Sequence, residues 1–169
     1  SNLSSKEAVF QSISAAVSSR TLSADVDFDV TFNRPQIIDG PMRIMQSFGV
    51  SQTVNSLSGA AHYNIYHYNG TTETLLASGG TFMQDVGSFE SGNNQRGTKV
   101  VVVTIPRTHF KASETLRVNA QGWIDGNSGT GRFVFAHDPK DRAGGWIKPA
   151  SDDSSTTIME VHVPFRIDI

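Results

Sequence analysis

The residue types able to do chemistry in this chain are five histidines, a set of spaced acidic residues and a few exposed-looking aromatics. The histidines are His62, His67, His109, His137 and His162. A metal site needs two or more ligands on one face. His62 and His67 are five apart on a strand-like run, so they point to opposite faces and cannot share an ion there. No H-x-H pair exists. Glu160 and His162 do share a face, but such a pair on an open strand is ordinarily a simple polar contact. In "DGNSGTG", Asp125, Asn127 and Gly129 stand at spacings reminiscent of a calcium loop. The closing Glu at position twelve is missing, since Ala136 stands there. Asp138 and Asp141 in "HDPKDR" offer two more carboxylates, and turn chemistry accounts for both groups. No cofactor is therefore expected, and a structural calcium ion is the only metal with any basis in the sequence.

Nucleophilic catalysis has little support. There is no G-x-S-x-G elbow and no cysteine. Asp25, Asp27 and Asp29 line one wet strand face rather than two sides of a cleft. "SFESGNNQRG" lacks the Lys-Ser/Thr of a phosphate-binding loop. The expectation is that the chain is not an enzyme. Binding chemistry is better represented. Tyr66 and Tyr68 share a strand face with His62 and Asn64, whereas Tyr63, Ile65 and His67 share the other. A pair of tyrosines offers apolar bodies with polar tips to a sugar or a partner, although aromatics also favour strands for cross-strand packing alone. Trp123 and Trp146 border the two polar loops. Tyr66, Tyr68, Trp123 and Trp146 are the candidate contact residues. Asn69-Gly70-Thr71 fits the glycosylation sequon, which matters only in a eukaryotic secretory route.

The elements that must position these residues read as follows. Residues 4–19, "SSKEAVFQSISAAVSS", predict a helix. Ser4 and Glu7 have capping-box spacing, and Val9, Phe10, Ile13, Ala16 and Val17 fall on one helical face. Val9, Phe10, Ile13 and Val17 are the candidate assembly face of a stem over residues 1–21. The remainder, 22–169, reads as one β-sandwich domain. "ADVDFDVTFN" (24–33) alternates strictly, with Val26, Phe28, Val30 and Phe32 on one side. "RPQIIDGP" (34–41) predicts a turn, and 42–54 a strand irregular near Gly49. Residues 60–68 and 73–78 flank Asn69-Gly70, a hairpin signal. Residues 78–97 read as a loop, with room for a short strand around Phe82 and Met83. "TKVVVVTI" (98–105) is apolar on both faces and predicts a central, covered strand. Strands at 115–124 and 132–137 flank "DGNSGTG", a second polar loop covers 138–155, and a final strand covers 156–169. Pro164 places part of that strand at an edge or bulge.

About eight strands without helical crossovers predict an all-β antiparallel sandwich, with a jelly roll first and an immunoglobulin-like sandwich second. The length of 169 residues suits one domain that buries roughly 70% of its unfolded surface. Charged residues are 18% of the chain and the net charge is -2, which leaves no basic excess for nucleic acid. No apolar run is long enough to span a membrane. The chain opens Ser1-Asn2 without Met, which reads as a processed product or a fragment.

"IYHYNGTTETLLA", "FKASETLRV", "RFVFAHDP" and "IMEVHVPFRIDI" resemble segments of jelly-roll structural proteins of bacteriophages and other viruses. The second resembles the Phe-x-x-Gly-Asp/Glu-x-Leu turn-into-strand pattern, with Ser113 in place of Gly. The resemblance covers about half the chain, and its motifs are structural. It implies a non-enzymatic virion component, such as a capsid decoration, spike or fibre domain. Such a domain would work as a homo-oligomer, with a trimer favoured, beside capsid or appendage proteins. The alternative expectation is an extracellular carbohydrate-binding or host-attachment module that takes a surface glycan.

Overall fold

The computed structural model describes residues 9–14, 21–52, 57–82, 94–126, 130–136 and 159–166. Ten strands occur among them, in two antiparallel sheets. In chain order they are β1 (Val9–Ser14), β2 (Thr21–Thr31), β3 (Gln36–Gln52), β4 (Leu57–Tyr68) and β5 (Glu73–Phe82). These are followed by β6 (Asn94–Phe110), β7 (Thr115–Gly126), β8 (Thr130–Ala136), β9 (Met159–His162) and β10 (Phe165–Arg166).

One sheet has the order β2-β7-β4-β5. In the other, β1 pairs β8, β8 pairs β3, and β3 pairs β6. The resulting pair of orders, β1-β8-β3-β6 and β2-β7-β4-β5, is that of two interleaved Greek keys, a jelly roll. β9 and β10 lie on the same edge of β3 as β8. Ala136 pairs with Ser47, Met159 with Gln46, and Phe165 with Ile38. The eighth jelly-roll strand is thus laid down in three pieces along one long partner. Ala136 and Met159 stand opposite two adjacent residues of β3.

Alternation explains the layers. Ile38, Met42 and Ile44 of β3, with Val101, Val103 and Ile105 of β6, face Ala61, Tyr63 and Ile65 of β4 and Leu116, Val118 and Ala120 of β7. Burying each large aliphatic side chain contributes about 1.5–3 kcal/mol. A polar contact crosses this interior: Tyr63 Oη donates to Gln46 Oε1 at 2.7 Å. Burial pushes the Tyr63 phenol well above its ordinary value, so it stays a neutral donor.

Four sequence expectations need correction. Val9–Ser14 form strand β1, paired with β8 from Val9↔Phe135 to Ser14↔Thr130, not part of a helix. These six residues, with Val9, Phe10 and Ile13, therefore belong to the sandwich. Val17 and the rest of 4–19 lie outside the described residues. A strand partner has outweighed a helical period carried by only a few apolar residues. Residues 36–41 are already strand, because a register shift between Ile38 and Gly40 absorbs Gly40 at a φ of 110°. The loop expected over 78–97 shrinks, since β5 runs to Phe82 and β6 starts at Asn94. Finally, β6 is not covered on both faces. Among the described residues it pairs only with β3, and Val100 and Val102 are 45% and 57% exposed.

Candidate functional site

The outward face of the β2-β7-β4 sheet carries the candidate site. Register aligns its side chains in cross-strand rows: Asp29–Arg117–Tyr66, Asp27–Asn119–Asn64, Asp25–Gln121–His62 and Leu22–Trp123–Ala60. On β7 and β4 each row is two residues from the next, and on β2 the same holds from Asp29 to Asp25, with a bulge between Ala24 and Leu22 absorbing one extra residue, so these positions share one face. The alternation read in "ADVDFDVTFN" and around Tyr66 therefore places two of the three strands correctly.

The middle strand organises the rest. Arg117 Nε and Nη2 donate to the two Asp29 oxygens, each at 2.8 Å, and Nη1 donates to Glu73 Oε1 at 2.7 Å. Bidentate pairing of this kind fixes the guanidinium plane. It holds the Asp29 carboxyl below the usual carboxylate range, with the Arg117 hydrogen bond as the main cause. The same Asp29 hydrogen bond raises the guanidinium further above its already high value. Asn119 is nearly buried. Its Nδ2 donates to Asp25 Oδ1 and Asp27 Oδ1, and its Oδ1 accepts from Asn64 Nδ2 at 3.2 Å. Trp123 Nε1 donates to Gln121 Oε1 at 3.3 Å. Asp25, Asp27, Tyr66, Glu73, Arg117, Asn119 and Gln121 together line an open groove of about 460 Å³.

The four candidate contact residues separate. Tyr66 lines the groove, and among the described residues its hydroxyl has no hydrogen-bond partner. Tyr68 is already engaged: its hydroxyl donates to the Gly70 carbonyl at 2.8 Å, and the Arg117 guanidinium lies 5.8 Å from its ring centroid. Trp123 stands on the same face, two rows beyond Asn119. Trp146 lies outside the described residues. Sequence reasoning passed over Arg117, Asn119 and Gln121. Their signal is the alternation in "LRVNAQGW", where they and Trp123 interleave with Leu116, Val118, Ala120 and Gly122.

The other polar clusters are local. His67 Nε2 lies 2.7 Å from Glu114 Oε2, and the Lys111 N–H donates to the same oxygen at 2.7 Å. His67 also packs on Phe110 at a centroid distance of 4.4 Å. These contacts secure the turn from β6 into β7. His162 Nε2 and Glu160 Oε2 are 3.2 Å apart, and both side chains are more than half exposed. His62 and His67 face opposite sides of β4, as the spacing predicts. Among the described residues, no group of three His, Asp or Glu side chains is arranged to hold a metal ion. Asn127 and Gly129 of the calcium-like stretch lie outside them.

No family model and no curated protein matches the chain. Among solved structures, the chain is similar to a CocE/NonD family hydrolase from Staphylococcus aureus. The identity is 14%, the TM-score is 0.46, and the match covers 76% of this chain and 36% of that one. An alpha-amino acid ester hydrolase gives 10% identity and a TM-score of 0.49, over 84% of this chain and 25% of that chain. A structure of infectious bursal disease virus, Gx strain, gives 9% identity and a TM-score of 0.27, over 76% of this chain and 36% of that chain. The chain thus spans about a third or less of the hydrolases it resembles. The jelly-roll assignment rests on the strand order.

Proposed function

We propose that this chain is a non-enzymatic structural domain of a virion, of the capsid-decoration or appendage kind, and that it works as a symmetric oligomer with a trimer favoured. The observation that supports this reading is the open outer face of β6. Val100 and Val102 are exposed there, on a strand that pairs on one side only among the described residues. Their register partners on β3 are Met45 and Arg43. A long edge strand with exposed β-branched residues invites pairing or packing with another chain, and proteins ordinarily blunt such edges. A subunit interface is the use of this surface that fits the fold best. The virion assignment itself draws on the resemblance of the hairpin, turn and closing-strand segments to viral jelly-roll proteins.

The test is absolute mass in solution by light scattering. The protomer is 18.3 kDa, and three times that mass is expected. Replacing both valines (Val100→Asp with Val102→Asp) should return the mass to that of one chain while the β signal in circular dichroism survives. A parent protein that is already monomeric, or a variant of unchanged mass, overturns the oligomer reading.

A further inference from the structure

We infer that the groove on the outer face of the β2-β7-β4 sheet is a binding site for an uncharged oligosaccharide. The inference does not rest on the oligomer reading, because the groove and the β6 face belong to different sheets.

Three observations carry it. The first is an aromatic at each end of a polar band. Tyr66 of β4 lies in the Arg117 row, and Trp123 stands six residues beyond Arg117 on β7, about 20 Å along the strands at roughly 3.4 Å per residue. That span exceeds a single sugar ring and suits a linear oligomer. The flat, partly apolar face of a pyranose packs on such rings, and the Tyr66 hydroxyl can meet its hydroxyls, the Trp123 N–H being held by Gln121.

The second is pre-organisation. Asn119, Arg117 and Gln121 are each held by a neighbour: Asn119 by Asp25 and Asp27, Arg117 by Asp29 and Glu73, and Gln121 by Trp123. A ligand therefore meets planar polar groups whose rotamers are already set, which lowers the ordering cost of binding. Capacity remains within this network. Each carboxylate has more acceptor sites than its protein contacts fill. The Gln121 amide accepts from Trp123 and keeps its NH2 group to donate. The Tyr66 hydroxyl is also unengaged. Hydroxyl-rich ligands need this mixture of donors and acceptors.

The third is charge. Asp27, Asp29 and Glu73 contact the Arg117 guanidinium, Asp25 lines the same groove, and among the described residues of this face no second guanidinium balances them. The excess of carboxylates repels sialic acids, uronic acids and sulfated sugars, so the class selected is neutral.

The experiment is calorimetric titration of the full chain with maltohexaose, cellohexaose, N-acetylchitohexaose and 3′-sialyllactose. Saturable binding of at least one neutral hexaose is expected, with sialyllactose bound more weakly. Tyr66→Ala should weaken binding at least about tenfold with an unchanged melting temperature, while Tyr66→Phe retains most of it. Gln121→Ala is the second variant, also expected to weaken binding without unfolding the chain. Absence of binding by all three neutral hexaoses overturns the inference. So does tighter binding of sialyllactose, or full affinity in both Tyr66→Ala and Gln121→Ala.

Discussion

Ser113 has a φ of 71°, in the left-handed region that costs an L-residue roughly 1–2 kcal/mol. It is the third residue of a turn closed by the Glu114 N–H donating to the Lys111 carbonyl, where a type II turn prefers Gly. The turn is held from outside as well. The Ser113 N–H donates to the Phe32 carbonyl at 2.7 Å, and the Phe32 N–H donates to the Glu114 carbonyl at 3.0 Å. Ser113→Gly should therefore relieve strain and raise stability by about 1 kcal/mol, read as a higher melting temperature. Ser113→Val should lower it. The sequence already showed Ser where the turn-into-strand pattern has Gly, and the backbone shows what that departure costs. Two carboxyls also set an acid response. Lys111 N–H, then His67, hold Glu114 below its ordinary value, and Arg117 does so for Asp29. Both therefore add stability that is complete above the unfolded carboxylate range of about 3.9–4.3 and is lost as pH falls through their folded values. Asp29→Asn should flatten the acid side of a melting-temperature profile. Because the Asp29 side chain is 42% exposed, solvent screening keeps that change under about 1 kcal/mol.

At the level of elements, what could be read in the sequence divides along a physical line. Strict alternation identified β2 and the inward and outward faces of β4, because period two is a local property. The four-residue connection Asn69–Thr72 was marked by Asn-Gly, although the turn is built differently from a two-residue hairpin. Asn69 Oδ1 accepts from the N–H groups of Thr71 and Thr72, and Gly70 takes a φ of 97°. What escaped was everything decided by distant partners. "VFQSIS" is a strand because β8 lies beside it, and "TKVVVVTI" is an edge because, among the described residues, its strand pairs only with β3. The groove was half legible for the same reason: its middle strand sits between segments far away in the chain. The continuity of β8 and β9 makes a testable case. Because Ala136 and Met159 pair with adjacent residues Ser47 and Gln46, joining them directly should extend one strand without a break. A variant lacking residues 137–158 should keep the β circular dichroism and a cooperative melt, and loss of either would show that the sandwich depends on those residues.

For the molecule as a whole, the two sheets present two different outer surfaces. One is a polar band bounded by Tyr66 and Trp123, and the other has exposed valines on an edge strand. On the proposed readings, one domain would attach to copies of itself through one sheet and leave the other open to a ligand. The Val100→Asp, Val102→Asp variant and the Tyr66→Ala variant should therefore act independently: the first changes mass without changing sugar affinity, and the second does the reverse. Additivity of this kind is expected of sites that share no side chain.

The pairing of β1 with β8 has a consequence for how the protein is made. β1 finds its ladder partner only at Arg132–Phe135 and their neighbours, so on a ribosome that ladder cannot form until β8 has been made. The central pairs β3–β6 and β2–β7 are also far apart in sequence. Such long-range pairing slows folding towards the millisecond-to-second range and leaves strand edges open to other chains meanwhile. β9 and β10, which follow β8 in the chain, fill the remaining edge of β3, so that edge closes only after its other partners have been made.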